Sequence, residues 1–238
     1  MGKICPTPAL HSPQKLSRRS LLKLGLAAGL VSYGLPRSNN VYARSTGLWT
    51  PRQTEGPFYP IHEQADKDVD LTRIDGQSQS AQGEVVRIQG RVLDTQGNSL
   101  HNVFVEIWQA NTWGRYRHKR DPNTAPIDPN FQGWGQTNTD ADGRYGFKTI
   151  LPGAYPAGPG WTRPPHIHFK VAGQGFDALT TQMYFPGQKL NEEDLILQNL
   201  PAAQRDMVIA KRQAGNPDSN DQADAPVFIF DIVLRPTS

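Results

Sequence analysis

From Glu84 onward, apolar side chains recur at every second position in short runs broken by Gly, Pro and Asp. A repeat of two is the period of a strand and cannot make the apolar stripe of a helix. Val86, Ile88, Gly90 and Val92 alternate before a turn at Asp94-Thr95-Gln96-Gly97-Asn98. Val103, Val105 and Ile107 then share one face, with Phe104, Glu106 and Trp108 on the other. Asp140-Ala141-Asp142-Gly143 turns into RYGFKTIL (144–151), and PHIHFKVA, ALTTQMYF and VFIFDIVL supply three more strands. The pattern predicts an all-β chain, with residues 84–238 forming one antiparallel β-sandwich domain. One or two short helices are expected, one of them within 201–213 with Pro201 at its start. Residues 44–83 lack periodicity and read as an extended N-terminal arm. The segments 110–134 and 152–164 are long loops on a rigid frame, where function is usually placed.

The net charge of +3 invites a nucleic-acid reading, but the excess is local. Residues 1–43 hold Lys3, Lys15, Arg18, Arg19, Lys23 and Arg37 and no acid. Without them 19 basic residues face 22 acidic ones, and no basic patch with interleaved aromatics remains, so nucleic acid is not an expected partner. Ser17-Arg18-Arg19-Ser20-Leu21-Leu22-Lys23 matches the twin-arginine export pattern, a weakly apolar run follows to Leu35, and Val41-Tyr42-Ala43 offers a cleavage site. The expectation is a cleaved export signal over 1–43 and a periplasmic or equivalent location. The apolar run is too short to span a bilayer, so stable membrane insertion is not expected. Cys5, the single cysteine, lies inside this segment, which leaves the remainder without thiolate ligand, nucleophile or disulfide.

Four residues carry the chemistry: Tyr116 in WGRYRHK and Tyr155, His166 and His168 in PGAYPAGPGWTRPPHIHF. His166 and His168 are two apart on a strand, so both rings leave one face. Neutral imidazoles so placed are ready ligands for a transition metal. Two phenolate oxygens would add hard anionic donors, which suit Fe(III) better than Zn(II) or Cu(I). Arg163, a permanent cation, precedes the pair by three residues. Taken singly, each residue has a plainer reading. A lone tyrosine is more often a packed ring, a lone strand histidine is more often structural, and an HxH pair also serves zinc or copper sites. His62, His101 and His118 read as surface groups, and Trp108, Trp113, Trp134 and Trp161 as core or pocket wall.

In their joint order these motifs resemble the intradiol ring-cleavage dioxygenases, most closely the iron-bearing chain of the protocatechuate-cleaving members. The resemblance runs from about Arg91 to Leu234. It is densest in VEIWQANTWGRYRHK, APIDPNFQGWGQTNTDADGRYGFKTILPGAYP and WTRPPHIHF, with weaker echoes in TTQMYF and FDIVLR. It implies one Fe(III) per chain, held by Tyr116, Tyr155, His166 and His168. It also implies that Tyr155 leaves the metal when substrate binds while Tyr116 stays. Arg163 matches an arginine that stabilises charge building on the ring, and Gln182 a glutamine near the metal's solvent ligand. The implied reaction cleaves a catechol with O2, incorporating both oxygen atoms, to a cis,cis-muconate-type dicarboxylate, with a lean toward a protocatechuate-like substrate. A homo-oligomer is compatible with it.

There are departures. Ala157 stands where protocatechuate-cleaving members usually carry tryptophan. TPRQTEGPFYP (50–60) resembles the N-terminal signature of a second chain but here shares the polypeptide. The helical N-terminal dimerisation region of catechol-cleaving members is not expected here. Two alternatives remain at this point. DTQGNSLHNVFVEIW and TDADGRYGFKTILPG also resemble the non-catalytic transthyretin/carboxypeptidase-regulatory type of sandwich, and the HxH pair by itself would serve zinc or copper.

Overall fold

The computed structural model describes residue 1 and residues 48–61, 64, 66–213 and 225–237. The segment expected to be an export signal lies, beyond Met1, outside the described residues, as does His62. The strands in chain order are β1 (Val85–Leu93), β2 (Phe104–Trp108), β3 (Trp134–Asn138), β4 (Arg144–Ile150), β5 (Tyr155–Gly158), β6 (Trp161–Arg163), β7 (His166–Ala172) and β8 (Leu179–Tyr184). Helices α1 (Leu195–Gln198) and α2 (Ala202–Val208) follow, then β9 (Lys211–Gln213), β10 (Val227–Ile229) and β11 (Ile232–Val233). No helix among the described residues is long and apolar enough to cross a membrane.

Two sheets face each other, as the alternation predicts. One has β1 at its centre, flanked by β4 on one side and by β10 and β11 on the other, with β9 beyond β10. The second runs β3-β2-β7-β8, antiparallel throughout. Val86, Ile88 and Val92 of β1 are fully buried, as are Val105 and Ile107 of β2 and Ile167, Phe169 and Val171 of β7. The sheets meet through these side chains: the Phe169 ring lies 6.0 Å from Tyr145 of β4 and 5.0 Å from Phe230. Burial of such side chains, worth roughly 1.5–3 kcal/mol each, selects one face of every strand and so sets what its other face carries.

Two local features differ from expectation. The C-terminal strands β10 and β11 pair with β1 in parallel, so the first sheet is mixed. Residues 152–164 are not an open loop, because β5 and β6 form a hairpin with Tyr155 directly opposite Arg163. The helix expected within 201–213 is α2, with Pro201 at its start, and after it the Ala210 N–H donates to the Tyr184 carbonyl at the edge of β8 and the chain turns into β9. β-Branched Val208 and Ile209 favour that extension. The arm is tied down at its start: the Thr50 N–H donates to Val233 O and the Gln53 N–H to Thr180 O.

Between β10 and β11 the chain runs over Gly90, whose missing side chain makes the approach possible. A Cβ there would sit 1.9 Å from Phe230 O, the acceptor of the Tyr145 hydroxyl. Gly90→Ala is expected to destabilise by about 1–3 kcal/mol or more, a fall in Tm of several degrees. Gly146→Ala on neighbouring β4, whose Cβ would meet nothing closer than 3.7 Å, should unfold close to wild type. Thermal unfolding of the pair measures the difference.

Candidate metal centre

The alternation on β7 puts Ile167, Phe169 and Val171 into the core and His166 and His168 on the opposite face. Across the ladders His166 faces Tyr184, while His168 is flanked by Gln182 on β8 and Trp108 on β2. Both imidazoles are nonetheless buried, at 2% and 3% exposure. Loops and the arm cover this outer face. Trp108 stacks on His168 at 4.9 Å, and Phe58 of the arm lies 4.9 Å from the Tyr116 ring. Behind Tyr116, a cavity lined in part by Phe58, Trp108 and Gln132 has about 20 Å³, room for roughly one water.

Asn111 joins the two segments that deliver the tyrosines. Its side-chain carbonyl accepts from the Trp113 and Arg115 N–H groups, and its amide donates to Pro126 O. Its backbone carbonyl accepts from Gly114 and from Gly153, two residues before Tyr155. Gly114 is pressed against the second segment with φ +76°, and a Cβ there would lie 2.4 Å from Ala154 O. Only glycine suits that combination. Asp121 accepts the Tyr116 N–H at 2.7 Å. The result is a cluster of four rings. Tyr116 and Tyr155 lie 5.5 Å apart, His166 and His168 4.9 Å, Tyr155 and His166 5.7 Å, and Tyr116 and His168 6.2 Å.

Burial sets the charge states. It holds His166 well below the usual imidazole range, with Arg163 and His168 adding to the effect. Burial, then Arg163, pushes His168 down to about 3. Both rings are therefore neutral near pH 7, with lone pairs to offer. His166 Nδ1 lies 2.7 Å from Pro164 O, so the proton belongs on Nδ1 and Nε2 faces the Tyr116 hydroxyl at 3.5 Å. His168 Nδ1 is buried with no hydrogen-bond partner. Burial raises Tyr116 well above the ordinary phenol value, with Tyr155 adding to it. Tyr155 is raised by burial and partly restrained by Arg163. Without a cation both phenols keep their protons. A bound cation would take up their phenolate charge, so two phenols, two neutral imidazoles and an orphaned buried nitrogen fit a highly charged metal ion. Among the described residues no group of three or more His, Cys, Asp or Glu could hold one, so a metal here depends on the tyrosines.

Arg163 is 3% exposed. Nε donates to Asp194 Oδ2 at 2.7 Å, and Nη2 donates to Gln182 Oε1 at 2.7 Å and to the Tyr184 hydroxyl at 3.1 Å. The Gln182 amide nitrogen donates to Thr54 O in the arm. All six residues singled out in the sequence thus lie in one buried region. Sequence reasoning assigned no role to Asn111, Asp121, Tyr184 or Asp194. An Asx residue ahead of Trp113-Gly114 is a turn signal, and Asp194 before LILQ is a helix-cap signal. Neither reveals a contact to the site. His101 is exposed and His118 half-buried beside Phe58, 5.8 Å between ring centres. Trp113, expected in the core or a pocket wall, is exposed, because Gly114 and not Trp113 makes the loop contact.

Asn111→Ala strips three side-chain hydrogen bonds from part-buried backbone groups. It is expected to cost about 1–3 kcal/mol, read as a lower Tm, and to loosen the segment that carries Tyr116, while the backbone carbonyl that accepts from Gly153 stays in place.

The dioxygenase family model matches residues 54–236. The beta chain of protocatechuate 3,4-dioxygenase from Burkholderia cepacia is 46% identical over 187 residues, covering 77% of this chain and 78% of that one. A catechol 1,2-dioxygenase from Acinetobacter guillouiae is 34% identical over 206 residues, covering 79% of this chain and 63% of the relative, less than two thirds of its length. Among solved structures, the dioxygenase domain of a dioxygenase carbohydrate-binding protein fusion from Streptomyces sp. SirexAA-E superposes with a TM-score of 0.57 at 28% identity, over 79% of this chain and 99% of that one. These matches set aside the non-catalytic sandwich reading, and by its sequence and its fold the chain belongs to the intradiol ring-cleavage dioxygenases.

Proposed function

We propose that this chain holds one ferric iron between Tyr116, Tyr155, His166 and His168. With it, the enzyme cleaves a catechol of the protocatechuate type with O2 to a cis,cis-muconate-type dicarboxylate that keeps both oxygen atoms. One observation carries the reading: two phenols and two neutral imidazoles from separate segments meet in one buried cluster. The relative from Burkholderia cepacia supports the protocatechuate lean. The phenol donors weigh against zinc or copper at the histidine pair. Ferric iron, when bound, supplies Lewis acidity that draws protons from the catechol hydroxyls and leaves the ring reactive toward O2.

The chain's own residues prepare that chemistry. The Pro164 carbonyl holds the His166 proton on Nδ1 and so presents Nε2. Tyr116 is anchored through its backbone by Asp121 and is assigned the lasting ligand role. Tyr155, at the start of the β5–β6 hairpin, is assigned to accept one catechol proton at Oη. Arg163 faces Tyr155 across that hairpin, where a fixed cation offsets negative charge developing on the ring without reorganising. Gln182 ties that cation to Thr54 of the arm. Phe58 and Trp108 line the site with apolar surface and keep water out. Identical chains assembling into an oligomer are part of this reading.

Purified protein is expected to hold close to one iron per chain and to be red to brown. With a catechol and O2 it should give a colourless muconate-type diacid and no yellow semialdehyde. His168→Ala should lose most of the iron, while Arg163→Ala should keep it and lose most turnover. Colourless folded protein carrying only zinc would refute the metal assignment.

We further propose that residues 1–43 direct export of the folded enzyme by the twin-arginine route and are removed, on the strength of Arg18-Arg19 and the Val41-Tyr42-Ala43 site. Folding and metal loading inside the cell would avoid competition from copper and zinc outside it. Arg18→Lys with Arg19→Lys should trap a precursor in the cytoplasm. Fractionation with N-terminal sequencing decides it, and an uncleaved Met1 on active cytoplasmic wild type refutes it.

A further inference from the structure

Asp194 is fully buried, and its carboxylate serves two elements at once. Oδ1 accepts the Leu197 N–H at 2.9 Å and so caps α1. Oδ2 accepts Arg163 Nε at 2.7 Å, while Oδ1 lies 3.5 Å from Nη2 and 3.4 Å from the Tyr184 hydroxyl. The remaining hydrogen bonds of the guanidinium go to neutral acceptors, Gln182 Oε1 and the Tyr184 hydroxyl, both from Nη2, and its central carbon lies 5.7 Å from the Trp161 ring centre. Nη1 takes part in none of these bonds. A planar guanidinium gripped along one edge keeps only one orientation. A flexible side chain with neutral acceptors alone would not.

We propose that Asp194 is a positioning residue, whose carboxylate sets the plane of the Arg163 guanidinium beside Tyr155 and leaves Nη1 for the reacting ring. The opposite effect has to be weighed. A carboxylate next to a cation also cancels part of its field, so if net charge mattered more than orientation, removing Asp194 would speed the reaction. The pair is buried and its Nε–Oδ2 bond short, and a misplaced guanidinium loses its directional hydrogen bond, whereas distance only weakens a charge gradually. Orientation therefore prevails, and the sign of the effect is the test.

The inference rests on the ring-cleavage reading above. Wild-type, iron-loaded protein that cleaves no catechol would refute that reading before any variant is compared. With active wild type, Asp194→Asn, Arg163→Ala and the double variant are compared for kcat, KM, iron content and visible absorption. Asp194→Asn should keep its iron and absorption band, change KM for the catechol less than about 3-fold, and lower kcat about 10–100-fold, as outer partners of metal sites do. In the Arg163→Ala background the same substitution should change kcat less than about 2-fold, since it acts through a group already removed. Unchanged or raised kcat in Asp194→Asn overturns the proposal. So does an equal loss in both backgrounds, or loss of iron. If Asp194→Asn fails to fold, Asp194→Thr, which keeps a capping oxygen without the charge, is read in the same way. Failure of both to fold makes the pair structural and overturns the proposal.

Discussion

Everything about the site depends on the alternation of β7. Ile167, Phe169 and Val171 are driven into the space between the sheets, and that burial compels His166 and His168 onto the other face. A slip of one residue would exchange the two sets, placing imidazoles in the core and aliphatic side chains at the site. The apolar packing that stabilises the sandwich therefore also aims the ligands. The ladders extend the effect sideways, because the same register brings Gln182 and Tyr184 of β8 and Trp108 of β2 beside the two rings.

The outer face of a sandwich normally meets water, and around His166 and His168 it does not. The arm, the Asn111 segment and the β5–β6 hairpin close over it, which is what makes the imidazoles neutral and the phenols reluctant to ionise. Burial of that kind is costly for any charge left unpaired. The structure meets the cost at Arg163 by a bonded carboxylate, Asp194, and leaves the four-ring cluster without formal charge of its own. A cation entering the cluster then finds two lone pairs ready and two protons to displace.

The segment Thr50–Pro60 gives the arm a defined part in this closure. Thr54 accepts from Gln182, Gly56 passes over His168 so that a Cβ would lie 3.3 Å from its ring, and Phe58 sits on Tyr116. Tyr59 continues the cover outward, with its hydroxyl on Glu106 and its ring under Lys170. One polypeptide supplies both the ring cluster and the wall over it.

The sequence by itself determined the all-β class, the strand faces and the residues with metal-binding chemistry, because period-two burial and side-chain type are local properties. It reached the family through motifs whose order is visible without a structure. It missed the parallel pairing of β1 with β10 and β11 and the hairpin that sets Tyr155 against Arg163. It also gave no role to Asn111 or Asp194. Those were decided by contacts between segments far apart in the chain: Arg163 and Asp194 are 31 positions apart, and Gln182 and Thr54 are 128 apart. Hydrogen bonds at such separations leave no periodic trace, so only the packed tertiary structure shows which polar residues hold the site in place.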